Sequence, residues 1–251
     1  NRTCRFAFRM KVWKVLALGA MPLLVGNGAR LDPCSCGAPQ VMSPVRAGGG
    51  VMPEMSRYLE LAEQAADSDN PSAGVSYTDL VLLAHRLAVY IEPGEGRETI
   101  ASALKKWQST LNDAVEFSIV ERLADADITV LWRDDLTLAG QPIGGYATWR
   151  RGVVEGRPQF SATIQVRTTQ PNGRQMTMAQ LFHVACHELG HILGLADAGK
   201  LGQIMGPLDL RSPVNGPSKD EIEQLMNLRE EALEVRRRAL MRYCTLNDLA
   251  P

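Results

Sequence analysis

His187, Glu188 and His191 stand in the run His187-Glu188-Leu189-Gly190-His191, and this spacing is where chemistry enters the chain. On a helix of 3.6 residues per turn, positions four apart lie only about 40° apart around the axis. Both imidazoles therefore leave one face of the helix and can grip one metal ion. Glu188 is poorly placed to ligate, but it can hold a water on the metal and take its proton. Imidazoles with one position left open for water suit zinc, so a single catalytic Zn2+ is the expected ion. Gly194 follows His191 by three residues and can end the helix in a left-handed conformation. The chain can then turn back and offer Asp197, six residues after His191, as the third ligand. The remaining histidines, His85 and His183, both lie upstream, so no downstream imidazole can complete the site. A carboxylate oxygen is an acceptable zinc ligand. The alternative for Asp197 is a solvated loop acid, with water completing the shell.

The elements that must position these groups are legible as periodicities. Thr177 with Gln180 three residues on forms a capping box that opens a helix running to about Leu193. Ser218 and Glu221 repeat that signature for a final helix to about Arg242. Upstream, Leu87–Ile91 reads as a strand stopped by Pro93-Gly94, and Glu98–Leu111 as a helix with Ile100, Leu104, Trp107 and Leu111 on one face. Val115–Val120, Ile128–Trp132, Gly145–Trp149 and Phe160–Val166 are further strand candidates. Glu54–Ala66 carries apolar residues at helical spacing, and Asp67–Gly74 should break that helix. From Leu87 the order is β-α-β-β-β-β-α-loop-α, an α/β or α+β sheet domain.

With these residues in view, the chain resembles the metzincin metallopeptidases and, among them, the matrixins. Metzincins follow the extended zinc motif with a tight turn that places a methionine under the metal. Gln203-Ile204-Met205-Gly206-Pro207 matches that turn, with Met205 fourteen residues after His191. Ala126-Asp127-Ile128-Thr129-Val130 resembles the matrixin third strand, and Gly144-Gly145-Tyr146-Ala147 its substrate-binding edge strand. Trp107 matches the usual aromatic residue near the end of the first helix. The likeness covers roughly Leu87 to Leu228. It implies a mixed, twisted sheet of about five strands, a long helix carrying the zinc motif, a Met-turn and a C-terminal helix. It also implies a zinc endopeptidase whose protein or peptide substrate lies along Gly145, Tyr146 and Ala147, with Glu188 as general base. The chain departs from the pattern at three points. Asp197 replaces the usual histidine, as in snapalysin-like enzymes. The absence of histidine between His85 and His183 excludes the second, structural zinc site of vertebrate matrix metalloproteinases. Gly206 stands where many matrixins have tyrosine. Calcium binding is not readable. Cys36-Gly37-Ala38-Pro39 faintly resembles the cysteine switch of matrixin proenzymes, although it lies farther from the first strand than usual.

Composition bounds the rest. A net charge of -1 over 251 residues shows no basic excess for neutralising phosphates, which speaks against nucleic acid as a partner. The apolar run Val15–Val25 is too short for a membrane span, which needs about 20 residues. Lys11 and Lys14 precede it and Gly26, Gly28 and Ala29 follow, the order of a secretory signal; a buried core helix is the alternative. The expected organisation is a signal segment over 1–29, with 1–9 an unexplained extension. A linker or short pro-segment over 30–75 follows, then the catalytic domain over 76–228 and a helical extension over 229–251. The expected product is a secreted or extracytoplasmic zinc endopeptidase. Two alternatives stay open: an idle metzincin-fold protein that binds zinc or a partner, and a zinc hydrolase with a non-protein substrate. His183 is expected as a partly exposed helical residue, Cys186 as a buried apolar one, and Glu230–Arg238 as a solvated charged face. Cys244 and the Cys34/Cys36 pair allow one disulfide, whose pairing spacing does not determine.

Overall fold

The computed structural model describes residues 50–68 and 70–248. The expected signal segment, Cys34 and Cys36 lie outside them. In chain order the elements are α1 (Pro53–Asp67), α2 (Pro71–Leu82), β1 (Leu87–Ile91), α3 (Arg97–Thr110) and β2 (Phe117–Val120). A single 3-10 turn at Leu123–Asp125 leads into β3 (Ile128–Arg133), β4 (Thr137–Leu138) and β5 (Gln141–Pro142). They are followed by β6 (Gly145–Val154), β7 (Arg157–Arg167), α4 (Met178–Leu193) and α5 (Lys219–Asp248). Five strands form one mixed sheet in the order β2-β1-β3-β7-β6. All neighbours run parallel except β6, which pairs antiparallel with β7 and forms an outer edge. This is the mixed five-stranded architecture expected from the sequence.

Alternation along the strands sets which face is covered. Leu87, Val89 and Ile91 of β1 are buried, as are Ile128 and Val130 of β3 and Ala162, Ile164 and Val166 of β7. Their neighbours Ala88, Tyr90, Thr129 and Thr163 are only half-buried, as the two-residue period of a strand requires when one face meets a core. Into that face pack Ile100, Leu104 and Trp107 of α3 with Val184, Leu189 and Ile192 of α4. Removing one large aliphatic side chain from water is worth about 1.5–3 kcal/mol, so this layer holds α4 firmly against the sheet. The Trp107 indole N–H also donates to the Cys186 carbonyl at 2.9 Å, bracing α4 one residue before His187.

The structure differs from the sequence expectation in several places, among them the short β4–β5 pair, which was not expected. Helix α2 begins at Pro71, so the break expected over Asp67–Gly74 shrinks to a few residues. Helix α2 lies among α1, α5, β6 and β7 and buries residues on several sides, so it carries no polar stripe to announce helical periodicity. Strands β6 and β7 extend well past Trp149 and start before Phe160, joined through Glu155 and Gly156, both at positive φ. This tight turn suits a two-residue hairpin, in which both central residues adopt that conformation. Helix α5 runs on to Asp248, and its Ala232, Val235 and Ala239 are buried. Among the described residues no helix is long and apolar enough to cross a membrane.

Candidate metal centre

Helix α4 starts where the capping box places it. Gln180 N–H donates to Thr177 Oγ1 at 3.3 Å, and the Thr177 N–H returns to Gln180 Oε1 at 2.9 Å. It ends at Gly194, whose φ of +112° is the left-handed conformation that glycine adopts without strain. The reversal there brings Asp197 back beside the two histidines. His191 Nε2 lies 3.1 Å from His187 Nε2, and Asp197 Oδ1 lies 3.2 Å from His187 Nε2 and 3.3 Å from His191 Nε2. Among the described residues these three form the one cluster of histidine, cysteine or acidic groups able to hold a metal.

The donor set fits zinc. Tetrahedral ligands with bonds of about 2.0–2.2 Å stand about 3.3–3.6 Å from one another, close to the separations seen here. Each imidazole is turned by a backbone carbonyl on its far side. His187 Nδ1 lies 2.8 Å from the Ile204 oxygen, and His191 Nδ1 lies 2.9 Å from the Leu195 oxygen. A proton on Nδ1 leaves the Nε2 lone pair aimed at the site, the arrangement a metal-binding histidine needs. Three electron-pair donors this close repel one another unless a cation lies among them. Burial would lower the His187 pKa, but its contact with Asp197 and the nearby Glu188 charge raise it to about 8. Burial would raise that of Asp197, yet the two imidazoles hold it well below the usual carboxylate range.

Glu188 is buried beside this cluster, and burial pushes its carboxyl upward while His187 and His191 pull it down. It faces Gly145 at the start of β6: a Cβ built there would lie 2.5 Å from Glu188 Oε1. A cavity of about 550 Å³ runs between the helix and that edge strand. His187, Glu188, His191 and Asp197 line one side of it, and Gly145, Tyr146 and Ala147 line the other. Met205 is buried and packs its sulfur against Gly190, where any side chain would collide with it. All the residues expected at the site from the sequence thus come together.

His183 differs from expectation. It is buried rather than partly exposed, and its Nδ1 accepts the Val214 N–H at 3.0 Å, tying the segment after the Met-turn to α4. Burial, then the neighbouring His187, lower its pKa, so it is held neutral. Gly206 is also accounted for. A Cβ there would lie 2.1 Å from the Lys200 carbonyl oxygen, so the tyrosine common in the resembling family has no room in this chain. Glu221 was legible only as a capping residue, and the fold gives it a second task. Its buried carboxylate accepts the N–H groups of Met205 at 2.7 Å and Ile204 at 3.3 Å while still capping α5 through Ser218. It therefore fixes the turn that supplies both Met205 and the carbonyl orienting His187. No sequence signal beyond the capping spacing points to that role.

No curated protein matches the chain. A family model described as matrixin matches residues 83–228, which takes in the whole sheet, the zinc-motif helix, the methionine turn and the first part of α5. Helices α1 and α2, with the far part of α5, lie outside the match. Since that model spans more than half of the sequence, the chain belongs to the matrixin family of zinc metallopeptidases.

Proposed function

We propose that the protein is an exported endopeptidase that cleaves peptide bonds with His187, His191 and Asp197 as zinc ligands and Glu188 as general base. What supports the reading is the convergence of three ligand atoms, within 3.1–3.3 Å of one another, beside a buried carboxylate on the wall of the cleft. Export rests on the basic, apolar, small order of Lys11 to Ala29.

Zinc, when bound, supplies a Lewis acid that polarises the scissile carbonyl and acidifies water at the site. The chain's own residues do the remaining work. An extended substrate adds to the free edge of β6 at Gly145, Tyr146 and Ala147, where backbone groups pair with it irrespective of side chain. Glu188 takes the proton of the attacking water and passes it to the leaving amine, so the new C–O bond and the broken C–N bond leave no stray proton. Burial holds the Glu188 carboxyl above its ordinary value, which brings its basicity nearer the pH of use. Met205 and Glu221 hold the floor beneath.

The test is digestion of a broad peptide library by the purified, zinc-loaded chain and by Glu188→Gln, with zinc content measured on the same preparations. The expected result is cleavage by the wild type and a loss of about 10²–10⁴-fold in the variant with zinc retained. Near-normal cleavage by the zinc-loaded variant removes Glu188 from its role. A wild type that holds zinc and cleaves nothing leaves the idle or non-protein readings instead.

A further inference from the structure

The segment from Gly50 to Met55 precedes the matched family region and belongs to no expected part of the site. Its backbone nevertheless pairs with the turn that leaves α4. Val51 and Leu195 form an antiparallel bridge, the Met52 N–H donates to the Gly194 carbonyl at 2.8 Å, and the Ala196 N–H donates to the Gly50 carbonyl at 2.8 Å. The paired residues serve two of the three ligand positions. The Leu195 carbonyl orients His191 from 2.9 Å, and Asp197 follows Ala196 directly. On the other side of Asp197, the Ala198 N–H donates to the Met205 carbonyl at 2.7 Å. Asp197 is thus hung between two backbone anchors, one of them supplied by this segment.

The segment is itself held down. Met55 is fully buried against Gly194, where an added Cβ would lie 2.8 Å from Met55 Cγ. The Trp149 indole N–H donates to the Glu54 carboxylate at 2.7 Å, and the Tyr58 hydroxyl donates to the Arg151 carbonyl at 2.9 Å. Both of those partners lie on β6, so α1 ties the turn beside the ligands to the edge strand of the cleft.

We propose that Gly50–Met55 is a positioning strap for the metal centre, which holds the Leu195–Ala196 backbone so that His191 is oriented and Asp197 is presented. This rests on the zinc-site reading above. Groups that orient metal ligands typically contribute about 10–100-fold to metal affinity.

The test uses the full chain and two variants of one residue. Met52 has φ of -63°, which a proline ring adopts without strain, and the preceding Val51 lies in an extended bridge, as a residue before proline prefers. Met52→Ala and Met52→Pro both lose the side chain, but only the second loses the N–H given to Gly194. Competition with a chelator should show Met52→Pro binding zinc about 10-fold more weakly than Met52→Ala, at equal helix content by circular dichroism. Hydrogen exchange on the zinc-free proteins should show the Ala196 amide opening faster in Met52→Pro as well. If Met52→Pro does not fold, Gly50→Ala serves, because a φ of +123° at Gly50 strains any side chain and displaces the carbonyl given to Ala196. The same weakening is expected there, and unchanged affinity overturns the strap. Affinity that depends on Asp197 but is equal in the two Met52 variants overturns the strap alone. Affinity indifferent to Asp197→Ala overturns the zinc-site reading and the strap with it.

Discussion

Gly145→Ala adds one methyl group at the point where the edge strand passes the catalytic helix. Its Cβ would lie 2.6 Å from Val184 Cγ1, 2.5 Å from Glu188 Oε1 and 2.8 Å from Glu188 Cγ. Non-bonded carbons settle at about 3.5–4.0 Å, so the shortfall at Val184 is about 1 Å. The Glu188 oxygen can swing away by rotation. Val184 cannot, because a β-branched side chain on a helix has essentially one χ1 well. Nor is the strand free to retreat: Gly145 pairs with Val166, and the Arg167 N–H donates to the Gly144 carbonyl at 2.9 Å. Strand and helix must therefore part by about 1 Å or Glu188 must leave its place. Overpacking of this kind costs about 1–3 kcal/mol. At about 2–4 °C per kcal/mol for a fold of this size, Tm should fall by about 2–12 °C. A 1 Å displacement of a catalytic group typically costs about 10²-fold in turnover. Zinc affinity should stay near the wild-type value, because the three ligands are not touched. Peptide cleavage, chelator competition and thermal unfolding on one preparation measure all three quantities. Wild-type kcat/KM and Tm in the variant would refute the close approach of strand and helix on which the reasoning rests.

Asp197→Ala should weaken zinc binding by well over 10-fold, since one of three protein ligands is lost, and Asp197→His should restore much of it if the turn can place an imidazole nitrogen at about 2.0–2.1 Å. Equal chelator-competition curves for wild type and Asp197→Ala would make Asp197 a solvated loop acid. Elemental analysis should find one tightly held zinc per chain, because His85 and His183 belong to no second group of three possible ligands among the described residues. Chelating that ion should lower Tm: at free zinc a thousand times Kd the ion contributes about 4.1 kcal/mol, or about 8–16 °C at this size; an unchanged Tm would show that no bound metal supports the fold. Glu221→Gln should lower Tm through loss of charge-assisted bonds to the methionine turn, each worth about 1.5–3 kcal/mol. An unaltered Tm in that variant would show that the Ile204–Met205 backbone holds itself.

The site was legible in the sequence because its parts are local. Two imidazoles four residues apart need only a helix to converge, and the Thr177–Gln180 box announces that helix. Gly194 marks where it must end, and the short run to Asp197 and Met205 limits where the chain can go. The strands read at 87–91 and 128–132 were equally plain, since the first is a short apolar run stopped by Pro93-Gly94 and the second is rich in β-branched residues. Helix α2 was not, because a helix enclosed by others shows no polar face.

What the sequence determined by itself is the candidate chemistry: which side chains could hold a metal, which acid stands beside them, and which helix carries them. Burial, partners and distance belong to the tertiary structure. It made His183 a buried anchor, gave Glu221 the methionine turn to hold, and closed the space beside Gly206 with the Lys200 carbonyl. It also laid Gly50–Met52 along Gly194–Ala196, a backbone pairing between residues more than a hundred positions apart. Such pairings use N–H and C=O groups that nearly every residue carries, so no side-chain pattern encodes them, and packing alone decides which ones meet.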